Sequence, residues 1–98
     1  MFVILTSKPG QFRTEIISGL RPCERYDYLF YGEKKATFVI AELLEDSKLR
    51  VIDEIPPARI NHVPSKFLPH FDSIESARAE LDHLTHFGNM KVELVRIG

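Results

Sequence analysis

Four of the six prolines, Pro56, Pro57, Pro64 and Pro69, fall between positions 56 and 71. A proline ring clashes with the preceding helical turn and removes a backbone donor, so a stretch this rich in proline is expected neither to coil into a helix nor to enter the middle of a sheet. Segment 56–71 therefore reads as a long, stiff loop. It divides the 98-residue chain into a strand-rich first part and a second part with its own periodicity.

In the first part, residues 2–7 are a β-branched and aliphatic run typical of a strand. Lys8-Pro9-Gly10-Gln11 follows, with proline and glycine at the central positions of a type II turn. Residues 10–20 fit two templates. With period two, Phe12, Thr14 and Ile16 share a face, forming a hairpin partner for the first strand. With period 3.6, Phe12, Ile16, Ile17 and Leu20 form a stripe. The β-branched residues and the helix cost of Gly10 and Gly19 favour the strand. Residues 26–31 and 36–43 form a strand pair joined by a charged loop, Gly32-Glu33-Lys34-Lys35, and residues 48–55 alternate as a further strand of the same meander.

Beyond the loop, Asp72 is the expected N-cap of a helix over about 73–87, with Glu75 as its capping-box partner and Phe71 stapling the first turn. Ile74, Ala77, Leu81, Leu84 and Phe87 follow spacings of three and four and place one apolar stripe against a sheet. Gly88 or Asn89 provides a left-handed stop, and residues 90–97 read as a last strand. The expected class is α+β in a single domain, 1–98: an antiparallel or mixed sheet covered by this helix, in two layers. If residues 10–20 were helical, the order would become ferredoxin-like, βαβ(β)βαβ.

Composition narrows the functional classes. The 13 basic and 14 acidic side chains are interspersed and leave a net charge of −1, so no global field draws the chain to nucleic acid or an anionic bilayer. No apolar run approaches the ~20 residues of a membrane helix. Residues 1–6 lack the basic flank of a signal peptide, and a cytoplasmic address is expected. No glycine-rich phosphate loop and no G-x-S-x-G elbow is present, and no cofactor is expected. Cys23, the single cysteine, has no intramolecular disulfide partner and reads as incidental.

Charge is nevertheless segregated. Residues 1–55 hold eight basic and nine acidic groups and residues 72–98 three and five, whereas 56–71 holds two basic and none acidic. Within it, Arg59, Asn61, His62, Lys66 and His70 form the candidate binding set: cationic, hydrogen-bonding groups on a conformationally restricted segment, suited to an acidic protein or a small anionic ligand. The competing reading has Ile60, Val63, Phe67, Leu68 and Phe71 pinning the segment over the core while the polar groups face water. Tyr26, Tyr28 and Tyr31 form a candidate interface for self-association as a homodimer, against an alternative of cross-strand packing. His83 and His86 have a spacing that can share a metal, but the helical wheel puts both on the solvated face, with Asp82 placed to pair with His86; no metal site is expected.

These features favour a non-catalytic binding or accessory protein acting through its sheet surface and loop 56–71. One alternative is a cofactor-free enzyme or ligand carrier of dimeric ferredoxin-like type with His62 or His70 as acid or base. The other is a structural oligomerisation module.

Overall fold

Phe2-Val3-Ile4-Leu5 lacks the polar alternation of a half-exposed strand, and the structure supplies the reason: both faces of that strand are covered. The computed structural model describes residues 1–86 and 90–98. Val3 and Leu5 point into one core with Leu20, Ala41 and Leu49. Phe2 and Ile4 point the other way, into a second core around Ile40, Ala77 and Leu81. The strand belongs to a central sheet with another sheet on one face and a helix on the other.

The central sheet is antiparallel, in the order β1-β4-β3-β7, formed by β1 (Phe2–Ser7), β4 (Glu33–Leu43), β3 (Leu20–Phe30) and β7 (Val92–Arg96). The second sheet, β2-β5-β6, is built from β2 (Phe12–Ile16), β5 (Lys48–Asp53) and β6 (Ile60–Pro64). Helix α1 (Ile74–Thr85) closes the opposite face. The class is α+β as expected, with a third layer that the two-layer expectation lacked. Among the described residues, no helix is long and apolar enough to cross a membrane.

Residues 10–20 hold the strand β2 and no helix, which removes the ferredoxin-like alternative. Thr14 and Ile16 are β-branched, and Gly10 and Gly19 both adopt positive φ, at 78° and 74°. A Cβ on Gly19 would lie 2.9 Å from Glu45 Cγ and 3.1 Å from the Glu45 carbonyl, so this corner admits only glycine without rearrangement. The expected turn at Lys8–Gln11 closes with Gln11 N–H donating to Lys8 O at 3.0 Å. β2 does not then run on as a hairpin with β1. Ser7 Oγ accepts from Thr14 N–H (2.9 Å) and Thr14 Oγ1 donates to Thr6 O (2.6 Å), so side chains take the place of ladder bonds. β2 turns away into the second sheet to pair with β5. β5 likewise leaves the meander, because Leu49 is buried between the sheets.

The β3–β4 hairpin is longer and tighter than the alternation suggested. Tyr31 and Gly32, both at positive φ (51° and 80°), form the turn, and the charged residues 33–35 lie in β4 with exposed side chains. The start of β3 was hidden by a bulge. Pro22 pairs with Ala41 and Glu24 with Ile40, so Cys23 is an extra residue. Without it, period two would put Leu20, Pro22 and Glu24 on one face. With it, Leu20 faces the second sheet while Glu24 and Tyr26 face the helix.

The helix starts one residue later than expected. Ser73, and not Asp72, is the N-cap, its Oγ accepting from Ser76 N–H (3.1 Å), and the helix ends at Thr85 with His86 as C-cap. Phe71 reaches β1 as well as the helix: its N–H and C=O bond to those of Phe2, both at 2.8 Å. Phe87, Gly88 and Asn89, assigned above to the stripe and the stop, lie outside the described residues. Segment 56–71 is the largest correction, since it contains an edge strand, β6, and a 3₁₀ turn at Ser65–Phe67.

We expect deletion of Cys23 to prevent cooperative folding, because it reverses which face Leu20 or Glu24 presents. Cys23→Ser, which keeps the residue count, should stay within about 1 kcal/mol of wild type. Thermal melts of the two variants check this, and equal melts would refute the bulge's role.

Candidate functional site

A strand can hold a proline only where its missing donor is not needed, and β6 meets this condition. Asp53 N–H donates to Arg59 O (2.9 Å) and Ser65 N–H to Ser47 O (2.7 Å), bracketing the β5–β6 ladder. Antiparallel alternation between these bonds makes Val51–Asn61 and Leu49–Val63 the hydrogen-bonded pairs. Arg59, Asn61, Val63 and Ser65 therefore direct their backbones toward β5. Ile60, His62 and Pro64 direct theirs away, and proline costs the ladder nothing at position 64.

Ser65 anchors the far end. It is fully buried, its Oγ accepts from Ser47 N–H (3.0 Å), and its carbonyl accepts from Leu68 N–H (3.0 Å). The same carbonyl is 3.1 Å from His70 Nε2, a donor in the Nε2–H tautomer. A serine between Pro64 and Lys66 carries no sequence signal of burial, so its role was missed.

The candidate residues do not all converge. His62 and Lys66 line an open concavity of about 520 Å³ at the end of the second sheet, together with Lys48, and among the described lining residues Asp46 is the one acid. Arg59 lies at the opposite end of β6, and Asn61 points to the other face of the sheet, beside Val63. His70 turns to the Ser65 carbonyl. The covering role holds in part: Leu68 packs on the first core and Phe71 on the second. Ile60 and Phe67 do not cover anything, being 56% and 71% exposed, with Lys66 Nζ lying 5.6 Å from the Phe67 ring centre.

The tyrosines separate as well. Tyr26 and Tyr28 are half-buried on the helix side, Tyr28 meeting Phe38 edge-on at 6.4 Å, whereas Tyr31 is exposed in the turn. His83 and His86 are both exposed, and His86 Nδ1 lies 3.2 Å from Asp82 Oδ1.

The strongest electrostatic feature lies elsewhere. Glu24, 3% exposed, accepts from Arg78 Nε (2.9 Å) and Nη2 and from the Tyr26 hydroxyl (2.5 Å), with Arg96 Nη1 at 3.4 Å. The hydrogen bonds from Arg78, opposed by burial and aided by Tyr26 and Arg96, lower the Glu24 carboxyl from 4.5 to about 2. Burial, with the hydrogen bond to Glu24, raises the Tyr26 hydroxyl, and Glu24 raises Arg78 in turn. The cluster joins β3, α1 and β7. Period two at the start of β3 gave no sign of it, because the Cys23 bulge shifts the phase.

No protein-family model, curated protein or solved structure matches the chain.

Because the folded-state value of Glu24 lies below its ordinary value, its contribution to stability is complete above pH 4.5 and is lost as pH falls toward 2. Glu24→Gln should lower stability by about 2 kcal/mol at neutral pH, and the gap to wild type should close on acidification. Denaturant titrations across that range check this; a gap independent of pH would show that the charge is not what stabilises.

Proposed function

We propose that this protein is a non-catalytic binding module that engages an acidic polypeptide through its second sheet and segment 56–71. The observation that carries this reading is the display of that segment. Arg59, His62 and Lys66 are all exposed, no acid lies among residues 56–71, and two large apolar side chains, Ile60 and Phe67, stand in solvent beside them. Contacts of this kind divide the work: apolar anchors supply area, while the charges select the partner and speed encounter. The strand and the buried Ser65 hold the segment in place before binding, which limits the entropy lost on association.

The acid–base alternative has less in its favour. His62 opens onto a hollow that also holds Lys48, Lys66 and Asp46, whereas the groove lined by Leu68, Pro69 and Phe71 with Ile4 and Leu84 has no imidazole among its described lining residues. The self-association reading retains Tyr31 as its accessible aromatic.

The double variant Arg59→Glu/Lys66→Glu should lose at least tenfold in affinity for the partner that co-purifies with the protein, with its melt unchanged, since both side chains are exposed. Calorimetric titration at two salt concentrations measures this. Undiminished binding by the folded double variant would overturn the proposal.

A further inference from the structure

Resting on the reading just given, we infer that β6 takes up its acidic partner by strand addition, as a fourth strand of the second sheet. Four strands lie at sheet edges, and two have much of their free edge occupied. On β1, Phe2 is bonded on both sides of its peptide to Phe71, and Thr6 O accepts from Thr14. On β2, Phe12 exchanges bonds with Lys8, and Thr14 N–H donates to Ser7 Oγ. β7 and β6 remain. β7 carries Glu93, a like charge for an acidic segment, and its one cation, Arg96, already faces the buried Glu24 carboxylate. β6 carries no acid, and the N–H and C=O groups of Ile60 and His62 and the C=O of Pro64 point out of the sheet.

That edge dictates what fits. A partner strand obtains two donors and three acceptors from β6, and the ring of Pro64 ends the ladder. A partner residue opposite His62 projects its side chain on the same outer face, its Cβ about 5 Å from that of His62. The concavity then continues to Lys48 and Lys66. The occupant is an extended segment of about five residues with carboxylates at alternate positions on the outer face. Its opposite face, lying beside Val63, is apolar.

The probe is a synthetic peptide, acetyl-Thr-Val-Glu-Val-Glu-Val-Thr-amide, compared with versions N-methylated at the two glutamates or at the two outer valines. In the added strand the glutamate amides face β6 and the valine amides face away. We expect glutamate N-methylation to weaken binding at least tenfold and valine N-methylation to leave it within about twofold. In hydrogen exchange, the peptide should protect the Ile60 and His62 amides without altering those of Asn61 and Val63. Ile60→Pro, which removes an outward donor and no ladder bond, should keep the melt and bind at least tenfold more weakly than Ile60→Ala, which loses the same apolar side chain but keeps the donor; equal binding by the two overturns strand addition. If all three peptides bind alike while Lys66→Glu still weakens them, strand addition is overturned and the basic-surface reading stands. If the parent peptide fails to bind at about 1 mM, both are overturned.

Discussion

The architecture depends on one constraint: β1 and β4 of the central sheet are covered on both faces. β1 and β4 present apolar side chains in both directions, and neither set can be left in water without losing the main driving force for folding. One layer cannot satisfy both. The chain divides its remaining elements accordingly, sending β2, β5 and β6 to one side and α1 to the other. Two small cores result, joined through the central sheet, with Leu49 the second sheet's fully buried contribution to one and Ala77 and Leu81 the helix's contribution to the other.

This division explains why the candidate surface is exposed. The second sheet covers the central one with its inner face, and the outer side chains of Ile60 and His62 on β6 stand exposed. β6 is the strand farthest from the corner where β1 passes into β2. Its inner residue Val63 still lies opposite Leu49, but Asn61, two residues away on the same face, is already exposed. β6 is held to β5 by the ladder pairs of Asn61 and Val63 and, at its ends, by Ser65 with Ser47 and Arg59 with Asp53, while its outward edge is left open. On the other side of the molecule, the buried carboxylate of Glu24 binds helix and last strand to β3 with charge-assisted bonds from two arginines that remain partly exposed.

Much of the fold was legible because local patterns report the environment directly. The apolar run at 2–7, the alternation in 36–43, the helical spacing from Ile74 to Leu81 and the turn at Pro9-Gly10 each correspond to the observed element. Failures cluster where a residue's role is set by something distant in the chain. Cys23 shifts the phase of β3, hiding both the strand and the burial of Glu24. The prolines of 56–71 suggested a loop because a sequence shows that a donor is missing but not whether the fold needs it at that position. The acid-free composition marked a stretch whose Arg59, Asn61, His62, Lys66 and His70 are all exposed, yet only His62 and Lys66 share a concavity, since strand alternation separates Asn61 from His62 and the length of β6 separates Arg59 from Lys66.

The sequence by itself determined the type of β1, β4 and α1, the apolar stripe of the helix and the segregation of charge into 56–71, because periodicity, propensity and composition are properties of neighbours along the chain. Tertiary structure alone decided which sheet each strand joined, that a third layer exists, that Glu24 accepts from or faces two arginines and that β6 turns the missing donor of Pro64 outward. Pairing partners are chosen by the apolar area buried and by which backbone groups find bonds across long separations, and a period-two pattern is the same whichever strand lies beside it.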